Sequence, residues 1–538
     1  MSIPSLGIVD VNLLSYDPSS NTFTWTDGQS GGAHTVKREQ IVAIIPSPEQ
    51  PRQLEEEGQH QLLSYIWLED VSSADKQEQQ YTLKRIEAAG PCPAGLDDLY
   101  LNRHASAPTP ARHDHLHPQK PARSLSPNTT LSNLHIIIST TSGTHLGVPF
   151  YNTALKPLLL FLNLSEENND YITHKTTSSH TITHLTETIF IPRARAGVSQ
   201  TIVLLAGDGG VVDLVKALSA TEEKAEENTK FVPPVLCLVP TGTGNATANS
   251  AGVIEDRDGS DGDATMGLRT LVSGVPKSLP TFRVKVSPGT RFVGEGGSPG
   301  ELVRRSSNDS DDGVAEAEAV IHGAVVLSWG MHASLVADSD TPEYRRFGPD
   351  RFKIAAKELL QPDDGSGPHF YRGKVTVITK AMDDEADEGG NGDEKKGKKL
   401  LRTRVLERRE HMYVLVTLCS KLERGFTISP ASGPLDGQLR LVHFGPVGAQ
   451  GFMEIMGLAY NGGKHVGVSE GEGGWQAVVG YEAVEKVRID FEEEGEEGRW
   501  RRVCVDGTIL VVEEGGWVEV EREDREVLRL VVPKGALE

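Results

Sequence analysis

Apolar runs of five or six residues recur at 134–139, 201–206 and 235–239, and the last two run straight into glycine-rich turns. These runs are too short for helices and too continuously apolar for surface strands, so they predict strands buried on both faces of a parallel sheet. Helical periodicity falls between and after them, at 148–162, 180–189, 211–227 and 264–273. The alternation predicts a doubly wound α/β domain, expected over 132–280.

On either side the period changes. Strand-like pieces at 22–25, 40–45 and 61–68, cut by Gly, Pro and Ser, predict a small β-rich module over 1–102. Residues 103–131 turn to His, Pro, Ser and Arg with few apolar side chains, the composition of a flexible linker. Beyond the α/β domain, candidate strands at 282–286, 319–328, 373–379, 411–418, 439–444, 484–491 and 501–512 predict a β-sandwich over 281–538. Two tracts inside it, 295–318 and 383–399, are so rich in Gly, Asp, Glu and Lys that burial cannot offset the entropy of ordering, and they are expected to be disordered loops.

Composition narrows the chemistry. A formal charge of −22 argues against a nucleic-acid partner, because phosphate backbones are held by a surplus of lysine and arginine. The four cysteines, Cys92, Cys237, Cys419 and Cys504, are scattered without metal-binding spacing, which fits a reducing compartment. No apolar run approaches the roughly 20 residues of a spanning helix, and no signal segment opens the sequence. A cytoplasmic protein with peripheral membrane association is expected, its oligomeric state open.

Two loops carry the candidate chemistry. In Thr201-Ile-Val-Leu-Leu-Ala-Gly-Asp-Gly-Gly210 a strand enters a turn where Gly207, Gly209 and Gly210 could take positive φ and approach a phosphate oxygen closely. Asp208 would then lie beside phosphates, where a carboxylate makes sense as a Mg²⁺ ligand or as a base for an attacking hydroxyl; an ordinary Asp-Gly turn is the alternative. One strand later, Pro240-Thr-Gly-Thr-Gly-Asn245 repeats the arrangement, offering Thr241 and Thr243 hydroxyls, the amides around Gly242 and Gly244, and the Asn245 amide as phosphate contacts or as a helix cap.

Gly-Asp-Gly followed about thirty residues later by Pro-Thr-Gly-Thr-Gly-Asn resembles the catalytic domain of the diacylglycerol kinase family, which includes sphingosine and ceramide kinases. Further pieces resemble the sphingosine and ceramide branch: Leu327-Ser-Trp-Gly330, Val336-Ala-Asp-Ser-Asp340, Glu343-Tyr-Arg-Arg-Phe-Gly348 and Arg351-Phe352. The resemblance implies ATP and Mg²⁺ as cofactors and a membrane lipid as substrate. It also implies a lipid pocket in the β-rich half near Asp338, Tyr344, Arg345, Phe347 and Phe352, where residues 344–360 read as an amphipathic helix. Asp263 stands where sphingosine-type members place an acid for the lipid amine, and a helix N-cap is its other reading.

The resemblance further implies nucleotide contacts at Ser142 and Gly143, at Thr173 and Lys175, and at Asp506-Gly507, which matches the family's Asp-Gly-Glu motif. The sequence departs from the family at Ala206 and Gly210, which replace glycine and threonine, and at Thr508, which replaces glutamate. The expected activity is phosphorylation of the primary hydroxyl of a sphingoid base, ceramide or diacylglycerol. The competing expectation is a catalytically impaired lipid- or nucleotide-binding member.

Overall fold

Continuous apolar runs do assemble into a parallel sheet. Its order is Tyr171–Lys175, Leu134–Ile138, Thr201–Ala206, Val235–Pro240, Arg529–Val532 and Val275–Ser278, the first five strands parallel and the last antiparallel. The computed structural model describes residues 14–26, 31–46, 62–72, 80–101, 123–126, 129–131, 133–140, 143–222, 231–254, 261–293, 299–302, 319–347, 350–380, 401–467 and 479–537. The chain divides into two units: one combines Met1–Val211, Ala225–Ser278 and Val527–Glu538, the other Val212–Lys224 and Leu279–Glu526.

In the first unit, Leu134–Ile138 and Thr201–Ala206 are wholly buried, as their composition requires. Tyr171–Lys175 is an edge strand with a half-exposed, polar-rich face, so it left no apolar run to read. Two helical stretches, 147–161 and 181–195, each contain a proline in mid-course, Pro157 and Pro192. Proline lacks the amide for the regular ladder and its ring collides with the carbonyl one turn back. Both stretches therefore open into a wider i→i+5 turn just before it, over Tyr151–Leu155 and Thr186–Phe190.

The N-terminal strands belong to this unit and share its core. They form two antiparallel three-stranded sheets, Ser15–Asp17, Thr22–Thr26, Ala33–Lys37 and Ile41–Pro46, Leu62–Asp70, Tyr81–Ala89. One face of the second sheet packs Ile44, Tyr65 and Ile86 on Phe23 and Trp25. Its other face places Val42, Ile66 and Leu68 in the same core as Ile136, Phe150 and Leu158. Arg269 ties the two parts together, donating to the carbonyls of Ile41 (2.6 Å), Arg38 (3.0 Å) and Glu39 (3.2 Å). Of the expected linker, Arg123–Ser126 and Thr129–Leu131 pair as a short ribbon, and residues 102–122 lie outside the described residues.

The second unit contains two large antiparallel sheets among the described residues. The first runs in the order Ala319–Gly323, Thr281–Val286, Trp517–Glu523, Lys486–Phe491, Tyr371–Lys380 and Leu401–Val405. The other runs Pro299–Leu302, Arg291–Val293, Thr508–Val511, Arg502–Val505, Val326–Gly330, Tyr413–Thr417, Arg440–Phe444 and Gly480–Ala483. Val284, Val375 and Val520 of one sheet share a core with Trp329, Val414 and Val505 of the other. The single strand expected at 319–328 is two strands, one in each sheet, with the chain crossing at Ala324–Val325.

Two further expectations change. Residues 527–538, assigned by sequence to the β-rich half, return to the first unit, where Arg529–Val532 lies between Val235–Pro240 and Val275–Ser278. Within the tract expected to be disordered at 295–318, Pro299–Leu302 is a strand paired with Arg291–Val293. The tract 383–399 lies outside the described residues.

Candidate active site

Strand Leu134–Ile138 has a parallel neighbour on each side, Tyr171–Lys175 and Thr201–Ala206, so the winding of the sheet reverses there. Chains leaving such neighbours diverge to opposite faces and leave a crevice at the carboxyl ends, the usual ligand position in open α/β sheets. The loops carrying Gly143, Gly207–Asp208 and Thr241–Asn245 all emerge at that end.

Backbone packing explains the loop glycines better than unusual φ does. None of Gly207, Gly209 and Gly210 has the positive φ expected of them, and neither Gly242 nor Gly244 has it. A Cβ on Gly242 would lie 2.3 Å from the Gly207 Cα, and one on Gly207 would lie 2.5 Å from the Gly244 carbonyl oxygen. Glycine is needed because the two loops touch main chain to main chain. Gly143 joins them, since a Cβ there would meet Thr243 Cγ2 at 2.9 Å, and the Thr144 hydroxyl donates to the Thr241 carbonyl. Gly209 is exposed with open space around it.

Asp208 opens the helix Asp208–Glu222, and its amide donates to the Gly244 carbonyl at 3.0 Å. Its carboxylate reaches across to the second loop: Oδ2 accepts the Ala246 amide at 2.6 Å and Oδ1 the Thr247 amide at 2.9 Å. It thus caps the helix Ala246–Ser250, the role expected of Asn245, whose side chain instead donates to the Gly242 carbonyl at 2.8 Å. Burial pushes the Asp208 carboxyl upward against the pull of those two amides. A carboxylate has lone pairs beyond the two used here, so it can still accept a proton or meet a cation.

Positions 206 and 210 are neighbours in space. A Cβ on Gly210 would lie 3.0 Å from the Ala206 methyl and 3.2 Å from Ile182 and Leu204. The Ala206 methyl occupies room that a side chain at 210 would use.

Other predicted nucleotide contacts are differently placed. Ser142 lies outside the described residues. Thr173 turns to a helix, its hydroxyl 3.2 Å from that of Tyr151. Lys175 is exposed at the strand's carboxyl end. Thr176, which sequence reasoning missed, joins the site loops: its Oγ1 accepts the Thr140 amide at 2.9 Å and its carbonyl accepts the Thr140 hydroxyl at 2.6 Å.

Asp506 and Gly507 belong to the second unit and form the two-residue turn between Arg502–Val505 and Thr508–Val511. Their φ values of 49° and 83° are those of a type I′ hairpin turn. The Asp506 carboxylate is used within that unit, accepting the amides of Val326 (2.6 Å), Ala324 (2.7 Å) and Val325 (3.1 Å) where the chain crosses between sheets. Burial raises this carboxyl to about 6, against those amides and Lys216. Lys216 Nζ donates to Thr508 Oγ1 at 2.7 Å, a contact with no signature in the sequence.

Candidate lipid contacts divide likewise. Asp338 is paired with Arg502 at 2.6 Å. Tyr344 donates to Glu358, which pushes its phenol up to about 12. The expected single helix is interrupted: Pro342–Arg345, which contains Arg345, is separate from Asp350–Leu360. Phe347 and Phe352 are exposed, with the guanidinium groups of Arg346 and Arg351 each 4.8 Å above a ring. Asp263 lies in the first turn of helix Asp261–Ser273.

The residues fit a bound polyphosphate. The amides of Gly242, Thr243 and Gly244 bond no other described residue. Asn245 Oδ1, Thr247 Oγ1 and Asn249 Oδ1 are buried without a partner there. For Mg²⁺ the site offers the Asp208 carboxylate, and no cluster of three or more His, Cys, Asp or Glu occurs among the described residues. One carboxylate with substrate phosphates is a common way of holding that ion.

A doubly wound sheet with two interlocked glycine loops at its switch point defines a nucleotide-binding α/β domain. Residues 133–275 match the family model of the diacylglycerol kinase catalytic domain. No curated protein matches the sequence. Among solved structures, a diacylglycerol kinase from Bacillus anthracis str. Sterne is similar at 13% identity and a TM-score of 0.39, covering 75% of this chain and 98% of that one. Another protein of that organism is similar at 14% identity and a TM-score of 0.43, covering 75% and 98%. Yeast NADH kinase, solved with NADH, is similar at 11% identity and a TM-score of 0.33, covering 74% and 83%.

Proposed function

We propose that the protein is an ATP-dependent lipid kinase acting on the primary hydroxyl of a sphingoid base or a related lipid such as ceramide or diacylglycerol. The observation that carries this reading is Asp208, held at the junction of two interlocked glycine loops inside the matched kinase domain. Bound ATP supplies the transferable phosphoryl group, and Mg²⁺ neutralises its charge.

The chain's own residues do the rest. The amides of Gly242, Thr243 and Gly244 donate to phosphate oxygens, and Asn245 and Thr247 offer further polar contacts. The Asp208 carboxylate accepts the proton of the attacking hydroxyl, and its raised affinity for protons suits it to that task. The two amides on its oxygens fix the carboxylate's orientation.

Exposed Phe347 and Phe352 beside Arg346 and Arg351 give the second unit a face suited to a lipid surface. No helix among the described residues is long and apolar enough to cross a membrane, so contact would be peripheral. The exchange between Ala206 and Gly210 preserves packing in the first loop, which favours this reading over a catalytically impaired one.

The test is transfer of label from γ-labelled ATP, with Mg²⁺, to micellar sphingosine, ceramide or diacylglycerol, alongside Asp208→Asn. Labelling of one lipid that disappears in the variant is expected. ATP binding without labelling of any lipid would overturn the reading.

A further inference from the structure

The parallel sheet of the first unit ends in two edges that are finished differently. Strand Val275–Ser278, at one end, carries Pro276, which has no amide to offer and suits an edge that stays unpaired. Strand Tyr171–Lys175, at the other end, contains no proline and pairs with Leu134–Ile138 on one side alone. Just beyond it Thr176 donates its amide to the Ile138 carbonyl at 3.0 Å, so the even-numbered residues turn their amides and carbonyls toward that neighbour. Tyr171, Thr173 and Lys175 turn theirs outward, and those groups bond no described residue. Ile172, between them, leaves 48% of its surface exposed. A row of free amides and carbonyls is a template for another strand.

The pattern of this edge fits a second copy of itself. Pairing about a two-fold axis is antiparallel and self-complementary. Centred on Thr173, it sets Thr173 against Thr173 and Tyr171 against Lys175, so that every outward amide and carbonyl of the strand finds a partner. Ile172 then faces His174 of the second copy and loses its exposure to water. Charge agrees with this direction. Glu166, Glu167 and Asp170 precede the strand and Lys175 closes it, so antiparallel pairing brings the acidic end of one copy to the basic end of the other. The edge strand Leu401–Val405 of the second unit fails the same criterion, because pairing centred on Thr403 would set Arg402 against Arg404.

We propose that two copies of the chain associate through the first unit, with Tyr171–Lys175 of each paired antiparallel about Thr173 into one continuous sheet. Five residues make a short edge, so the dimer is reversible and dissociates on dilution. The association stands apart from the catalytic reading and holds whatever the substrate.

Sedimentation velocity of the full chain, from about 1 to about 100 μM, tests it beside Thr173→Pro. The Thr173 amide points outward, so proline there removes no hydrogen bond within the chain and blocks only the new ladder. The wild type should approach twice the mass of one chain at the upper concentrations, and the variant should associate at least about tenfold more weakly with an unchanged Tm in dilute solution. A wild type that stays monomeric throughout, or a proline variant that associates equally well, overturns the proposal. Cross-linking reads the register even where the proline variant fails to fold. Thr173→Cys would face its own counterpart with Cα atoms about 5.5 Å apart, within disulfide reach, whereas Lys175→Cys would be offset from its counterpart by four positions. Mild oxidation should therefore link Thr173→Cys into a covalent dimer far faster than Lys175→Cys or the wild type with its own four cysteines. Equal rates for the two cysteine variants would overturn the pairing.

Discussion

The Asp208 carboxylate accepts the Ala246 amide at 2.6 Å, so the acid of the first glycine loop caps the helix that follows the second. One side chain thus joins the two loops, and it is the one to which the proposed function gives the part of base. Replacing it with asparagine keeps an acceptor but loses the charge. Asp208→Asn should lower kcat for lipid phosphorylation at least about 10²-fold, the usual worth of a general base. It should also weaken the cap, at about 1.5 kcal/mol for a hydrogen bond to a charged group. Labelled-lipid kinetics and thermal unfolding read the two effects, and a variant retaining a tenth of wild-type kcat would remove Asp208 from proton transfer.

The contact between Gly207 and Gly242 leaves no room for a methyl group. Gly242→Ala, whose Cβ would fall 2.3 Å from the Gly207 Cα, should destabilise the first unit by about 1–3 kcal/mol as the loops are forced apart. Gly209→Ala, which meets nothing within 4 Å, should be tolerated. Urea unfolding compares them, and equal midpoints would contradict the packing.

The exchange at 206 and 210 makes a separate prediction. Gly210→Thr alone crowds Ala206, Ile182 and Leu204 and should cost about 1–3 kcal/mol. Ala206→Gly with Gly210→Thr should recover a measurable part of that loss, because residues in contact couple. Strictly additive unfolding free energies in the double-mutant cycle would mean that the two positions are independent.

Arg269 is predicted to hold the N-terminal sheets to the α/β core. Arg269→Ala strands three carbonyls and should cost about 3 kcal/mol, with Arg269→Lys recovering only part because it lacks the planar fork. Hydrogen exchange should rise first along Ile41–Pro46. Unchanged protection there would mean the apolar contacts suffice.

Acid should weaken the fold. Burial lowers His135, His332, His411 and His465 to about 4, against an unfolded value of about 6.5. Between those values the folded state binds fewer protons than the unfolded chain, so stability is full above pH 6.5 and is lost as pH falls toward 4. Asp506 acts oppositely: raised to about 6, it takes up a proton while folded, and its contribution grows as pH falls through 6. His174 is lowered as well and Asp208 raised as well, so with five groups against two Tm should fall between pH 6.5 and 5, and Asp506→Asn should steepen the fall. A Tm that rises on acidification would contradict these burials.

The sequence by itself determined the elements whose burial is local and continuous. The apolar runs at 201–206 and 235–239 could only be interior strands, and the glycine loops behind them marked the site, because the strand and loop signals lie within ten residues of each other. Tertiary structure decided what depended on distant partners. The edge strand Tyr171–Lys175 acquires its form by pairing with Leu134–Ile138, and Arg529–Val532 enters the first unit because Val235–Pro240 and Val275–Ser278 leave a place between them. Glycine at 207 and 242 was legible as a requirement, but its reason, one backbone pressed on another, exists only when residues 35 positions apart meet. The corner fixed by Asp506 and the contact of Lys216 with Thr508 are likewise products of chain crossing, since a side chain's partners are set by space and not by its neighbours in sequence.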